Sequence, residues 1–449
     1  MKNSAEKTSP NPKEKVTARA IIVWAAACLV YIAAVTSRTS FGVAGVEAID
    51  RFQVDATRIA VFTSVQVGVY AFTQIPMGML IDKYGPRKLL AIGALIMGVG
   101  QIILGFTDVY GIAIIARILI GAGDASIFLS VMRILPSWFP LKATPIFTQL
   151  TTSLGQLGQF ISAVPFLALL GASGWTIAFV SLGAVVSIIA IAALIAVRDT
   201  PELPAPVASE VAVETQPVET THTPVKNSLG TSLKLILRNP LCWQGFFIHY
   251  SLMVWLNVFN LMWGLPMMTL GMGLSTATVG IVLSVSTFCL VVSAPLMGII
   301  SARTGYRRDV IAIAFSCVQA LAWLIFLSSE TPRGVVAIVL VNVAMGLTTA
   351  ASNFGFDSIR ERLDRNILAA GTGLANMGGF ISAMVASQIV GILLDHSAHG
   401  NTYTWHDFRV AYIAVIIIWA LGVLGFVVAR LKGGPGRRML TRIRHSTSH

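Results

Sequence analysis

Charge is scarce in this chain: Asp, Glu, Lys and Arg make up only 12% of its 449 residues, against about 25% in soluble globular proteins. Hydrophobic residues reach 55% and the mean hydropathy is +0.76, with apolar runs recurring along the whole length and no stretch left to form a soluble domain. A large soluble enzyme is therefore excluded as a working class. Cysteine is equally sparse. Cys28, Cys242, Cys289 and Cys317 all fall inside apolar runs, which rules out a disulfide framework or thiolate metal site and predicts small buried hydrophobes. No Walker A run and no paired metal ligands occur, so neither ATP drive nor catalysis has residues to rest on, and no cofactor is expected.

What the chain does contain is length in apolar segments. A helix needs about 20 mostly apolar residues to cross roughly 30 Å of hydrocarbon, and twelve such runs are present, at 18–46, 57–82, 87–107, 110–136, 143–170, 173–198, 240–268, 275–301, 309–328, 333–359, 367–394 and 406–431. Short turns rich in Gly, Pro, Asp or Arg separate most of them, as tightly connected helical hairpins require. One long break, 199–237, is too rich in proline and polar residues to span or to form a core. The expected organisation is a tail at 1–17, a six-helix bundle at 18–198, a linker at 199–237, a second six-helix bundle at 238–432 and a basic tail at 433–449. The polar, lysine-bearing start reads as a retained tail, because the apolar run behind it lacks a small-residue cleavage site and is too long for a signal core.

The distribution of basic residues predicts orientation. Of 32 lysines and arginines, 26 lie on the side of both tails, only Arg51, Arg58, Arg333 and Arg409 lie opposite, and Arg38 and Arg117 sit within apolar segments. Cytosolic loops carry the excess of positive charge, so both termini are expected in the cytosol. The net charge of +12 is then a topology signal and calls for no nucleic-acid partner. Outer loops lack any Asn-x-Ser/Thr site, which favours a bacterial plasma (inner) membrane.

An internal repeat links the halves. GMLIDKYGPRK (Gly78 to Lys88) follows the second run and GIISARTGYRR (Gly298 to Arg308) follows the eighth, pairing Gly78 with Gly298, Lys83 with Arg303, Gly85 with Gly305 and Arg87 with Arg307. Duplicated six-helix halves are one architecture of secondary transporters. Glycines permit close helix approach, and Asp82 can accept hydrogen bonds or pair with a cation across the halves. In the second copy Ala302 replaces the acid, so the two loops should act unequally.

Charged side chains inside the spans need a reason, since each costs about 2.5 to 3.5 kcal/mol at the bilayer centre even on a lenient scale. They are Arg38 in the first run, Arg117 and Asp124 in the fourth, and Asp357 near the tail-side end of the tenth. Arg117 and Asp124 share a helix face but stand about 10.5 Å apart along the axis, which leaves Arg38 as the natural partner of Asp124. Gly121 and Gly123 beside it would admit a neighbouring helix. Polar residues recur as well: Gln66, Tyr70 and Gln74 form one stripe, and Gln156 and Gln159, His249, Asn257 and Asn260, and Asn376 dot the fifth, seventh and eleventh runs. Each alone reads equally as a helix-to-helix hydrogen bond, whereas the set points to a moderately polar cavity. His249 has the intrinsic pKa of a proton carrier, though a lone histidine is more often structural. Trp255, Trp263, Met267, Met268 and Met272 read as an interfacial belt or gate lining.

These features resemble the major facilitator superfamily. Its loop signature Gly-x-Leu-x-Asp-Arg/Lys-x-Gly-Arg-Arg/Lys is matched by Gly78, Leu80, Asp82, Lys83, Gly85, Arg87 and Lys88, with Pro86 inserted, and segment count, central break and half-repeat extend the match along the chain. The resemblance implies an all-α integral membrane fold of twelve helices in two pseudo-symmetric bundles. It also implies a loop, with Arg303 and Arg307 in its second copy, that latches the outward-facing state. The run RILIGAGDA is similar to the fourth-helix pattern Arg-x-x-x-Gly-x-Gly-Glu-Ala of the anion:cation symporter branch, whose acid helps couple protons. Arg38 stands where that branch places a substrate-binding arginine, with Ser37 and Asp124 departing from its pattern. By resemblance, then, a monomeric secondary transporter is expected, moving a small solute, an organic anion, by alternating access coupled to protons or another ion through Asp124, Arg117 or His249; an efflux antiporter for a drug or metabolite in the same fold is the second reading. The fifth run lacks the Gly-Pro-x-x-Gly-Gly of many drug antiporters, which disfavours efflux; a sensor that binds without transporting is the third reading.

Overall fold

The computed structural model describes residues 16–54, 56–201, 228–398 and 402–433. Both tails and the linker expected at 199–237 therefore fall largely outside the described residues. What is described is helical, with no strand among the described residues.

Ten stretches are long and apolar enough to cross a membrane and hold eleven passes, and the seventh pass, outside them, makes twelve. The 53-residue stretch Thr144–Ala196 holds two of them. It turns back at Gly174, whose φ of +78° is a left-handed conformation that favours glycine. The rings of Phe166 and Phe179 lie 5.1 Å apart across that turn, whereas thirteen residues of unbroken helix would hold them about 20 Å apart. The seventh pass is not one continuous α-helix, because π turns at Phe259–Trp263 and Met267–Gly271 interrupt it.

We number the passes α1 (Ala18–Val43), α2 (Ala56–Tyr84), α3 (Pro86–Phe106), α4 (Tyr110–Trp138), α5 (Thr144–Ile161 and its π turn), α6 (after Gly174, to Ala196), α7 (from Pro240 through Gly271), α8 (Thr276–Thr304), α9 (Arg308–Leu327), α10 (Val335–Thr349, continued by Phe354–Arg362), α11 (Leu368–Ala398) and α12 (Trp405–Lys432). Local chemistry sets their starts. Pro86 and Pro240 occupy first-turn positions, where a missing N–H costs nothing. Asn239 and Ser275 cap the next free N–H groups, and Thr404 with Asp407 forms a capping box. A further short helix, Leu229–Arg238, precedes α7 and buries Ser232 and Ile236.

Each half packs around its own core. In the first, a Cβ at Gly93 would collide with Ser126 and the Gly123 carbonyl, so α3 and α4 touch backbone to backbone, the small-residue packing by which helices associate without a hydrophobic drive. In the second, Trp255 is buried and stacked on Trp323 at 5.7 Å, with Tyr412 and Phe326 around them and Met267 and Met268 fully buried. This corrects the belt or gate reading of Trp255, Met267 and Met268: they form the interior of the second half. Cys317 also departs from expectation, being exposed on the same stripe of α9 as Leu321 and Leu324, while Cys28 and Cys242 are buried and Cys289 is intermediate.

The even number of passes in each half brings the loops at 85, 139–143, 305 and 363–367 to one end of the molecule, called here the basic end for the lysines and arginines it carries.

Candidate functional site

At the middle of the first half, Asp124 faces Arg38 from α4. Arg38 donates from Nε to one carboxylate oxygen at 2.6 Å and from a terminal nitrogen to the other at 3.0 Å. This two-point geometry is the strongest form of an ion pair. Asp124 is only 1% exposed and Arg38 22%, so an incoming solute reaches the guanidinium before the carboxylate. Tyr70 of α2 lies under the same guanidinium, 4.8 Å from ring centre to its carbon, a cation–π contact that orients it. Arg117, two turns from Asp124, does not pair with it. It donates to the Phe62 carbonyl at 3.4 Å, stands 4.6 Å from the Phe41 ring, and is walled off at 1% exposure.

The polar stripe of α2 divides. Asn376 of α11 donates to the Tyr70 hydroxyl and to Gln74, both at 3.0 Å, and so ties the two halves together at mid-depth. Gln66 is buried with neither amide atom hydrogen-bonded. Asn257 donates to the Gly379 carbonyl at 3.3 Å, Asn260 keeps a buried carbonyl oxygen without a partner, and Gln156 is half-buried on α5. His249 lies apart from Asp124: its ring packs on Phe356 at 4.9 Å, and Phe356 meets Phe128 at 5.7 Å across the seam. An aromatic pair therefore separates His249 from the first-half acid, and nothing brings the two together.

Toward the basic end the halves are in contact. Asp82 accepts hydrogen bonds from the backbone N–H groups of Ala369 and Ala370, both at 3.0 Å, and from Arg133 Nε at 3.3 Å. These N–H groups open α11, where unpaired donors and the helix dipole favour a carboxylate. Gly78 makes the approach possible, since a Cβ there would overlap the Ala370 backbone, and Gly298 sits likewise against Ile146. The rest of the first loop serves its own half. Arg87 binds Asp199 through its N–H and the Leu194 carbonyl through Nε, Gly85 adopts φ +91°, Lys83 lies over Tyr84, and Lys88 is exposed.

In the second loop Arg303 and Arg307 are exposed and take no part in the seam. This corrects their expected place in the latch. With Ala302 in place of an acid, the loop holds no carboxylate to organise them, and the buried arginine is instead Arg308, bound to Glu361 at 2.8 Å.

Sequence reasoning missed the seam contacts of the second half. Asp357 pairs with Arg360 at 2.7 Å and accepts from Ser301 at 2.5 Å, while Arg360 reaches across to Thr148 on α5 at 2.8 Å. Gln149 donates to the Ala350 carbonyl at 2.8 Å, and Asn353 donates to Gln149 at 3.0 Å. An acid and an arginine three residues apart at the end of an apolar run was the available signal. Among the described residues, the hydrogen bonds found between the halves all lie between mid-depth and the basic end.

Two six-pass bundles closed at one end around a mid-depth ion pair define a secondary transporter of the two-bundle type. Residues 27–387 match a family model described as Major Facilitator Superfamily. The chain belongs to that superfamily, whose members are transporters and not enzymes.

Several relatives carry the names of organic-acid transporters. A probable sulfoacetate transporter, SauU, of Cupriavidus necator is 30% identical over 173 residues, covering 38% of this chain and 40% of that protein. A probable L-galactonate transporter of Escherichia coli K12 is 21% identical over 411 residues, 89% of this chain and 87% of that one. The probable galactarate/D-glucarate transporter GarP of the same organism is 27% identical over 158 residues, 33% of this chain and 35% of its own. In fold the chain is similar to the E. coli fucose:proton symporter FucP, with a TM-score of 0.66 at 14% identity over 93% of this chain and all of that one. A second FucP structure, in the outward conformation, gives a TM-score of 0.67 at 13% identity.

Proposed function

We propose that this protein carries a small organic anion across a bacterial plasma membrane by proton-coupled alternating access, with its basic end in the cytosol. The observation that carries this reading is the two-point pair of Arg38 and Asp124 at mid-depth. A static pair alone would close the bundle. A pair whose arginine is partly exposed, and whose acid is not, can exchange partners. An entering carboxylate or sulfonate takes the guanidinium, the displaced Asp124 is left as an uncompensated buried charge, and taking up a proton relieves that cost. Release of the anion on the other side restores the pair and expels the proton. The named substrates of the relatives, sulfoacetate, L-galactonate and galactarate/D-glucarate, are all organic acids and support an anion as cargo.

The contacts at the basic end then hold the site open to the outside. Asp82 and Gly78 act in the latch, and Tyr70, Gln74 and Asn376 form the floor beneath the substrate. Gln66, Gln156, Asn257 and Asn260 are the polar lining; Arg117 tunes the field at Asp124 from behind Phe41. The working unit is a monomer, since each chain contains both bundles.

Reconstitution in liposomes tests the scheme. Asp124→Asn should abolish accumulation driven by a proton gradient while leaving substrate counterflow, and Arg38→Ala should abolish both. Full gradient-driven accumulation by Asp124→Asn would overturn the coupling role, and absence of any flux in the unaltered protein would favour a sensor.

A further inference from the structure

We infer that the substrate carries a single negative charge, at the end that meets Arg38, and uncharged hydroxyl-bearing groups at the end that meets the second half. The inference rests on the organic-anion reading above and narrows it.

The argument begins with where cations are absent. Between their ends, the six spans of the second half contain no lysine or arginine facing mid-depth. Arg308 and Arg360 lie at the basic end, already bound to Glu361 and Asp357. Arg409 lies at the other end, bound to the Leu327 carbonyl. In the first half, Arg117 is sealed against Phe41 and the Phe62 carbonyl at 1% exposure. Arg38 is thus the one cation a solute can touch at this depth among the described residues.

What the second half does offer is amide. Asn257, near the end of the α-helical part of α7, donates to the Gly379 carbonyl, and Asn260 follows three residues on within the π turn Phe259–Trp263. The carbonyl oxygen of Asn260 is buried with no donor bound to it. A lone acceptor of this kind is satisfied by an O–H or N–H group and repelled by a carboxylate, which can only accept. A diacid would set its second carboxylate against these amides with no cation to pair it. An unpaired charge at mid-depth weakens binding by on the order of tenfold or more, even after allowance for water in the cleft.

Matched sets of equal carbon number, differing only in charge, provide the test: glycerol, glycerate and tartronate, then xylitol, xylonate and xylarate, each titrated against the purified protein by calorimetry. In any set that binds, the monoacid should bind at least about tenfold more tightly than its diacid. Asn260→Arg, or Asn257→Lys should the first fail to fold, should narrow or invert that ratio by adding the missing cation. A diacid that binds the unaltered protein as tightly as its monoacid would overturn the inference and leave the anion reading standing. Binding of the neutral polyols alone would overturn the anion reading itself.

Discussion

Replacing Thr148 by valine isolates a single hydrogen bond at the closed end. Arg360 donates to the Thr148 hydroxyl at 2.8 Å across the seam, while its ion pair with Asp357, at 2.7 Å, lies within one half. Thr148→Val keeps the shape of the side chain and leaves that ion pair intact. The hydroxyl also donates to the Thr144 carbonyl within α5; that bond lies inside one helix, so its loss should weigh equally on the closed and open states. A hydrogen bond to a charged group contributes about 1.5 to 3 kcal/mol net, and about 1.4 kcal/mol is a factor of ten in an equilibrium. The closed-to-open ratio at the basic end should therefore fall by roughly ten- to a hundredfold. It should not collapse entirely, because Asp82, Gln149 and Asn353 still bridge the halves. Spin labels at Lys142 and Arg307, both exposed at the basic end on opposite halves, would report this as growth of a longer distance in pulsed dipolar spectra. An unchanged distribution, in a sample where Asp82→Ala does lengthen it, would refute the assignment of Arg360 and Thr148 to the closure.

The remaining predictions concern backbone approach and packing. Gly78→Val places side-chain atoms where the Ala370 backbone stands; transport should be lost with the basic end held apart, and normal closure by spin-label distance would contradict this. Gly174→Ala meets no neighbour but forces alanine to φ +78°, so it should cost about 1 to 2 kcal/mol of stability, read as a lower midpoint in thermal unfolding with transport retained. Trp323→Ala empties the centre of the second core and should cost about 3 to 5 kcal/mol, and a midpoint matching the unaltered protein would show that the ring stack is not a packing centre.

Much of the architecture was legible in one dimension. Crossing a bilayer demands long apolar runs and penalises every charge within them, so the spans, the repeat and the charges Arg38, Arg117 and Asp124 stand out as a string. The pairing of Arg38 with Asp124 followed by elimination, since Arg117 is two turns away and few other charges exist. Asp82 was identifiable as an acid between helices that needed a partner.

The identity of that partner was not legible. The backbone N–H groups of Ala369 and Ala370 carry no residue-specific mark, and they receive Asp82 only because Gly78 lets α2 and α11 touch. The burial of Trp255 in the second-half core was hidden for a related reason: a span is apolar on its lipid face and on its packed face alike, so periodicity does not reveal which side turns inward. Composition, span order and the scarcity of charge were determined by the sequence alone, because the solvent imposes them residue by residue. Helix rotation, the transfer of the second half's seam contact from its loop to Arg360, and the lone acceptor on Asn260 were decided only by tertiary packing, where contacts hundreds of residues apart select one register among many apolar alternatives.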